Sequence, residues 1–182
     1  MGYFPMCVDL TGKTVFLVGN GPDILDKAEK LKPFSPAMVF LEDFGEADLQ
    51  ENPALVIVSN EDEVKAIRIS RLCRDRKIPV NVIDRPELCS FFFPAMITKG
   101  DLTVSVSTGG KCPAGAACLK KRIASQLPDR SDEILLWLSQ NRWELKRMRI
   151  LSQAAGVAFN KNRPLTQEEC RELSGDTVGG QG

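Results

Sequence analysis

A carboxylate at the end of an apolar run is the first place in this sequence where chemistry could sit. Residues 78–83 read IPVNVI and end at Asp84. Read as a strand, the run delivers Asp84 to its carboxyl end, where open α/β sheets hold their ligands. The chain contains no histidine. That removes Ser-His-Asp and Cys-His catalysis and the common His-containing zinc sites. Proton transfer must fall to Asp, Glu, Lys, Tyr or Cys, or to the substrate itself. The alternative for Asp84 is structural, since aspartate commonly opens a turn and Pro86 follows closely.

The second motif is the turn Gly19-Asn20-Gly21-Pro22-Asp23-Ile24, which follows an apolar run and opens a helical pattern. A dinucleotide-binding reading requires that context. The first glycine allows a tight turn, and the second lets a pyrophosphate approach the backbone near the helix N-terminus. About twenty residues on, an acidic residue should meet the adenine ribose, and Glu42 and Asp43 stand where it belongs. An acidic pair there disfavours the 2′-phosphate of NADP. Ile24 stands where a third small residue is usual, and Pro22 removes one N–H. A plain strand-to-helix turn is the competing reading.

These residues need elements to hold them. Residues 13–19 (KTVFLVG), 37–41 (AMVFL), 54–59 (ALVIVS) and 78–83 are short, nearly continuous apolar runs, as suits strands covered on both faces. Helical patterns lie between them at residues 23–31 and 61–76. The second has Val64, Ile67, Ile69, Leu72 and Cys73 as its apolar positions. Alternation of this kind predicts βαβ units and a mostly parallel sheet. Residues 91–97 (FFFPAMI) are apolar but contain Pro94. Residues 101–107 (DLTVSVS) alternate with period two, as in a strand with one exposed or partner-facing side. Helices are expected at residues 113–127 and 131–155. A short one is expected at 163–173, with Thr166 as N-cap and Glu169 three residues on. Residues 175–182 read as disordered.

Of the 182 residues, 43% are hydrophobic and 26% charged, and Lys+Arg balance Asp+Glu at 24 each. The balance argues against a general nucleic-acid or anionic-membrane binder. No apolar run approaches the ~20 residues needed to span a bilayer, and residues 1–7 lack the pattern of a signal peptide. A cytoplasmic protein is expected. The six cysteines are scattered without a CxxC, so reduced thiols and no metal site are expected.

The second half carries a family resemblance. Residues 80–91 (VNVIDRPELCSF), then Phe93-Pro94-Ala95, Gly100-Asp101-Leu102 and Ser107-Thr108-Gly109-Gly110-Lys111 with Pro113 form an ordered series. With Tyr3-Phe4-Pro5, Leu10 and Gly12-Lys13, this series resembles the precorrin-2 dehydrogenase family, which includes the N-terminal module of siroheme synthase. The resemblance covers roughly residues 1–127. It implies an α/β, Rossmann-like NAD-binding domain at 1–95, a strand-helix dimerisation region at 96–127 and a helical tail at 128–182. The implied activity is NAD-dependent oxidation of precorrin-2 to sirohydrochlorin, with ferrous iron insertion in some members. The implied assembly is a homodimer, and another tetrapyrrole-pathway enzyme is a candidate partner.

The resemblance puts the essential aspartate on Asp84, the cofactor turn on Gly19, Gly21, Pro22 and Asp23, and the ribose contact near Glu42 and Asp43. Asn60 begins the turn after the third strand, where Asn60-Glu61-Asp62 replaces a Thr-Asp-Asp type sequence, and is taken as a cofactor contact. The glycine turn before the third helix resembles a substrate-cleft turn. Thr108 keeps its hydroxyl, and Cys112 replaces a serine. A substrate bearing many carboxylates implies cations. The candidates are Arg85, Lys99, Lys111, Lys120, Lys121 and Arg122, with Lys111 favoured and the run at 120–122 also readable as a solvated helix face. The chain is shorter than the family pattern between the glycine turn and Ala54. A tetrapyrrole chelatase, or a non-oxidising tetrapyrrole binder, is therefore the alternative function.

Overall fold

The computed structural model describes residues 4–175. Tyr3 and the tail beyond Gly175, expected to be disordered, lie outside the described residues. The chain divides into two compact units. One runs to Phe93 and takes in Gly109–Lys111; the other comprises Pro94–Thr108 and the chain from Cys112 onward.

The first unit is a four-stranded parallel sheet in the order β2-β1-β3-β4. Its strands are β1 (Thr14–Val18), β2 (Ala37–Leu41), β3 (Leu55–Val58) and β4 (Val80–Val82). Helix α1 (Pro22–Leu31) joins β1 to β2, and α2 (Glu63–Asp75) joins β3 to β4. Strands β1, β3 and β4 are buried almost throughout, as their apolar runs predict, whereas the run at 37–41 forms an edge strand that is largely exposed rather than covered on both faces. On one face Val15, Leu17, Leu55 and Ile57 pack with Ile24, Ala28 and Leu31 of α1. On the other, Phe16, Val18, Val56 and Val58 pack with Ala66, Ile69 and Cys73 of α2. Val64, expected on that apolar face, is instead 79% exposed. The buried stripe at 66, 69 and 73 keeps to the three- and four-residue spacing of one helix face, and Val64 falls off it. Helix α2 ends at Lys77, whose φ is 58°. Lys77 N–H donates to Arg74 O (3.0 Å) and Ile78 N–H to Cys73 O (2.8 Å), a Schellman closure without its usual glycine.

The sheet edges differ. Strand β4 is buried throughout because the returning chain closes over it. Ser90 N–H donates to Val80 O (2.8 Å), and the Asn81 side-chain amide donates to Phe91 O (3.0 Å). Edge strand β2 leaves Val39 and Phe40 exposed. Between β2 and β3 the chain forms only a 3-10 turn at Asp48–Glu51.

The second unit opens with an antiparallel pair, β5 (Ala95–Lys99) and β6 (Leu102–Val106). Strand β5 is obscured in the sequence by Pro94, which stands just outside it. The two-residue turn has Gly100 at φ 50° and follows the type II′ pattern. Strand β6 alternates half-buried and exposed residues, as its period-two sequence predicts. Helix α3 (Pro113–Ala124) packs against the pair.

The single helix expected at 131–155 is three: α4 (Ser131–Gln140), α5 (Arg142–Arg147) and α6 (Leu151–Lys161). The first break is at Asn141. Its own N–H (3.0 Å) and its side-chain amide (2.8 Å) both donate to Trp137 O, a local bond that competes with helix continuation. The second is at Arg149, in the left-handed region at φ 62°. There Ile150 N–H donates to Leu145 O (3.0 Å) and Arg149 N–H to Lys146 O (3.1 Å), another Schellman closure.

Helix α7 (Gln167–Ser174) begins with the capping box foreseen at Thr166 and Glu169, while residues 163–165 remain outside it. The Glu169 carboxylate accepts from Arg163 Nη2 (2.7 Å) and Nη1 (3.0 Å), Lys161 Nζ and Thr166 N–H (2.8 Å). Arg163, then Lys161 and the Thr166 amide, hold this carboxyl well below the usual carboxylate range. A carboxyl depressed in the folded state stabilises above its unfolded pKa, about 4.3, and that stabilisation is lost as pH falls through the folded value. Urea melts from about pH 6 down to about pH 3 should therefore show wild type losing more stability than Glu169→Gln. Parallel losses would mean that the network contributes nothing to acid sensitivity.

Candidate functional site

Parallel strands bring all their carboxyl ends to one edge. At that edge Gly19 N–H donates to Leu41 O (2.8 Å), Ser59 N–H to Val18 O (2.9 Å) and Ile83 N–H to Val58 O (3.0 Å). Gly19, Glu42, Asn60 and Asp84, read from four separate stretches of sequence, therefore share it. The chain leaves β1 toward β2 on one side, and β3 lies on the other. That reversal makes a crevice outside the ends of β1 and β3, the usual ligand position in open α/β sheets.

Glycine is required at Gly19 on two counts. Its φ is 108°, and a Cβ there would stand 2.6 Å from Ser59 Cβ. Gly21 is the N-cap of α1 and has no side-chain cap bond. Ile24, the departure from a small third residue, is fully buried in the core beneath α1. Ile24 and Leu25 N–H both turn back to Gly21 O. Pro22 has no N–H, and the exposed Asp23 adds a negative charge to the first turn. Beside this turn, Asn60 Oδ1 is buried and accepts no hydrogen bond. Such an orphaned acceptor needs an explanation, and a ligand hydroxyl or amide would supply one.

Asp43 does not project freely as a ribose acceptor. Its Oδ1 accepts from Phe44 N–H (2.8 Å) and from Arg68 of α2. The Phe44 amide, then Arg68, hold its carboxyl below the ordinary range. Lys65 Nζ donates to Glu42 O (3.1 Å), and the Glu42 residue itself is exposed.

Asp84 is exposed and sits at φ 58°. A non-glycine residue in the left-handed region is uncommon, although aspartate tolerates it better than most. Such positions cluster at functional sites held by their surroundings, and here the surroundings are visible. Arg85 N–H donates to Val82 O (3.3 Å). Cys89 Sγ accepts from Val82 N–H (3.2 Å) and lies 3.2 and 3.3 Å from the carbonyls of Val82 and Arg85. Ser70 Oγ donates to Leu88 O (2.7 Å), and Arg74 donates to Glu87 O (2.8 Å) and Cys89 O (3.1 Å). Burial pushes the Cys89 thiol up, so this sulfur is a packing and hydrogen-bonding group.

Arg85, a candidate substrate cation, is already engaged. Its Nη1 bonds Glu63 (2.9 Å) and its Nε bonds Glu87. Lys27, which the sequence reading missed, is a cation that interacts with the charge of Asp84. Its ammonium stands 5.3 Å above the Phe93 ring and 4.0 Å from Asp26. Burial, then Lys30, pushes its pKa down, while Asp26, Asp84 and Asp23 oppose the shift. Its signal was a lysine three residues from Ile24, beside the buried stripe of α1.

Lys111 is exposed in the turn that contains Gly109 and Gly110. In the second unit, Thr108 Oγ1 accepts from Cys112 N–H (3.1 Å), and Cys112 Sγ accepts from Gly115 N–H (3.3 Å). The thiol thus performs the N-cap task for α3 that a serine usually performs. Lys99 Nζ donates to Pro128 O (3.4 Å), Lys120 is half-buried, and Lys121 and Arg122 are exposed. Among the described residues, no group of three or more His, Cys, Asp or Glu could hold a metal, and no helix is long and apolar enough to cross a membrane.

Known proteins resemble this chain in sequence and in fold. A family profile described as "Putative NAD(P)-binding" matches residues 6–95. The siroheme synthase of Thioalkalivibrio sulfidiphilus is 36% identical over 149 residues, covering 70% of this chain and 30% of that protein. The siroheme synthase of Azotobacter vinelandii is 30% identical over 168 residues, covering 81% and 36%. The chain thus spans about a third of the length of the curated relatives it matches. The solved structure titled "SirC, precorrin-2 dehydrogenase" superposes with a TM-score of 0.66 at 16% identity, over 96% of this chain and 98% of that one, and it shares the fold.

Proposed function

The chain belongs to the precorrin-2 dehydrogenase and siroheme synthase family, and from that premise we propose that it oxidises precorrin-2 to sirohydrochlorin with NAD. The observation that carries the reading is Asp84. It is an exposed carboxylate in a left-handed backbone, on the same sheet edge as the glycine turn. The reaction removes a hydride and a proton from a reduced tetrapyrrole. A bound nicotinamide supplies the hydride acceptor. Asp84 is the proton acceptor, taking the proton from the reacting ring and passing it to solvent. The bonded loop from Arg85 to Phe91 fixes the backbone that follows Asp84, and such preorganisation is worth rate.

Gly19 and Gly21 would let a dinucleotide pyrophosphate close to the backbone, and Asn60 Oδ1 would accept from a hydroxyl or amide N–H elsewhere on the dinucleotide. The exposed Glu42 would meet the adenine ribose and disfavours a 2′-phosphate, which supports NAD over NADP. Lys111, Thr108 and Cys112 are proposed substrate contacts, with Lys111 binding a carboxylate of the tetrapyrrole. Among the described residues no third strand joins the β5-β6 pair, and its open edges support a homodimer.

One observation favours a second reading, chelation of the tetrapyrrole without a dinucleotide. The Glu61 carboxylate lies against the glycine turn. In that case Asp84 would accept pyrrole protons as ferrous iron, the second substrate, enters. Anaerobic mixing with precorrin-2 and NAD separates the two. Growth of NADH absorbance is the expected result. Folded protein that yields no NADH, yet consumes sirohydrochlorin with ferrous iron, would replace the first reading by the second.

A further inference from the structure

The glycine turn already has an anion beside it. A Cβ built on Gly21 would stand 2.5 Å from Glu61 Oε1 and 3.6 Å from Glu61 Cδ. The room that the missing side chain opens at the N-terminus of α1 is therefore filled from the opposite wall of the crevice, by the loop after β3. That loop is fastened locally, with Glu61 N–H donating to Ser59 Oγ (3.3 Å). Glu61 itself is exposed, so its carboxylate can swing away at little cost.

A dinucleotide pyrophosphate must approach the backbone at this position, so it meets Glu61 in both space and charge. Little in the turn offsets the conflict. Pro22 donates nothing, Ile24 and Leu25 amides are spent on Gly21 O, and Asp23 repeats the negative sign. We propose that Glu61 is a specificity-determining residue that competes with the cofactor pyrophosphate for the glycine turn, so that the dinucleotide binds only with Glu61 swung out. The inference rests on the dinucleotide reading above and deepens it. It also gives Gly21 a role in the unliganded protein, since glycine is what lets the carboxylate rest there.

The test is equilibrium binding, followed by the fluorescence of NADH titrated with wild type, Glu61→Gln and Glu61→Ala, at low and high salt. Removing one like charge a few ångströms from a partly exposed phosphate should tighten binding by about 3- to 30-fold at low salt, with the gain shrinking as salt rises. Glu61→Ala should gain at least as much as Glu61→Gln, because it clears the space as well. Thermal melts of the free proteins should match, since an exposed glutamate contributes little to stability. Equal affinity in all three proteins would overturn the inference and leave the dinucleotide reading standing. Absence of NADH binding in wild type and both variants would overturn both. Tightening that persists unchanged at high salt would overturn the charge competition and leave only crowding.

Discussion

Asp84→Asn should leave the protein folded and lower NADH formation from precorrin-2 by about 100-fold or more, the scale of a lost general base. The expectation follows from two properties of the position. An asparagine side chain has the same shape as aspartate and also tolerates φ near 58°, so the backbone need not move. The loop that fixes residue 84 is held through Cys89, Ser70 and Arg74, and those bonds run to backbone groups other than the Asp84 side chain. What the substitution removes is the carboxylate, and with no histidine in the chain few other groups could take the proton. Initial rates at saturating NAD, with urea melts alongside, check it. A variant that turns over at the wild-type rate would move the proton acceptor elsewhere.

The parts of this protein that were legible are those where local pattern and burial agree. The four apolar runs became four parallel strands, three of them buried as an enclosed strand requires and the fourth, β2, an exposed edge. The capping box at Thr166 and Glu169 was legible because both partners lie within one turn. Asp84, Gly19 and Asn60 could be brought to one edge from sequence because parallel strands leave no choice of end. Where the reading failed, the deciding contact was long-range or carried by an atypical residue. The helix breaks at Asn141 and Arg149 contain neither glycine nor proline, and an arginine in the left-handed region gives no warning in a helical sequence. The pairing of Arg85 with Glu63, distant in sequence, was likewise not legible. Glu61 carries the same identity in any conformation, and only coordinates reveal that its carboxylate rests on Gly21.

The shortened connection between β2 and β3 looked like a deficit, and Phe44 is how the fold meets it. Helix α2 and this connection lie over the same face of the sheet, and the connection contains no α-helix of its own. Phe44 fills the space with a fully buried ring that packs on Phe16 at 5.4 Å between centroids and an interplanar angle of 58°, a tilted geometry that aromatic pairs favour. Its backbone is satisfied on both sides, the N–H by Asp43 and the carbonyl by Arg68 Nη1 (2.9 Å). Leu41 and Leu49 complete the cover.

Phe44→Ala should therefore cost about 3–5 kcal/mol, the usual range for a buried phenylalanine, out of the ~5–15 kcal/mol that a domain of this kind holds. Phe40→Ala, at a ring 51% exposed on the edge strand, should cost under about 1 kcal/mol. Urea unfolding of both variants measures the contrast. Phe44 follows directly on Glu42 and Asp43, so loosening it should also weaken NADH binding in the molecules that remain folded. Equal costs for the two rings would mean that the face beneath Phe44 collapses without it, and that the connection serves as a tether only.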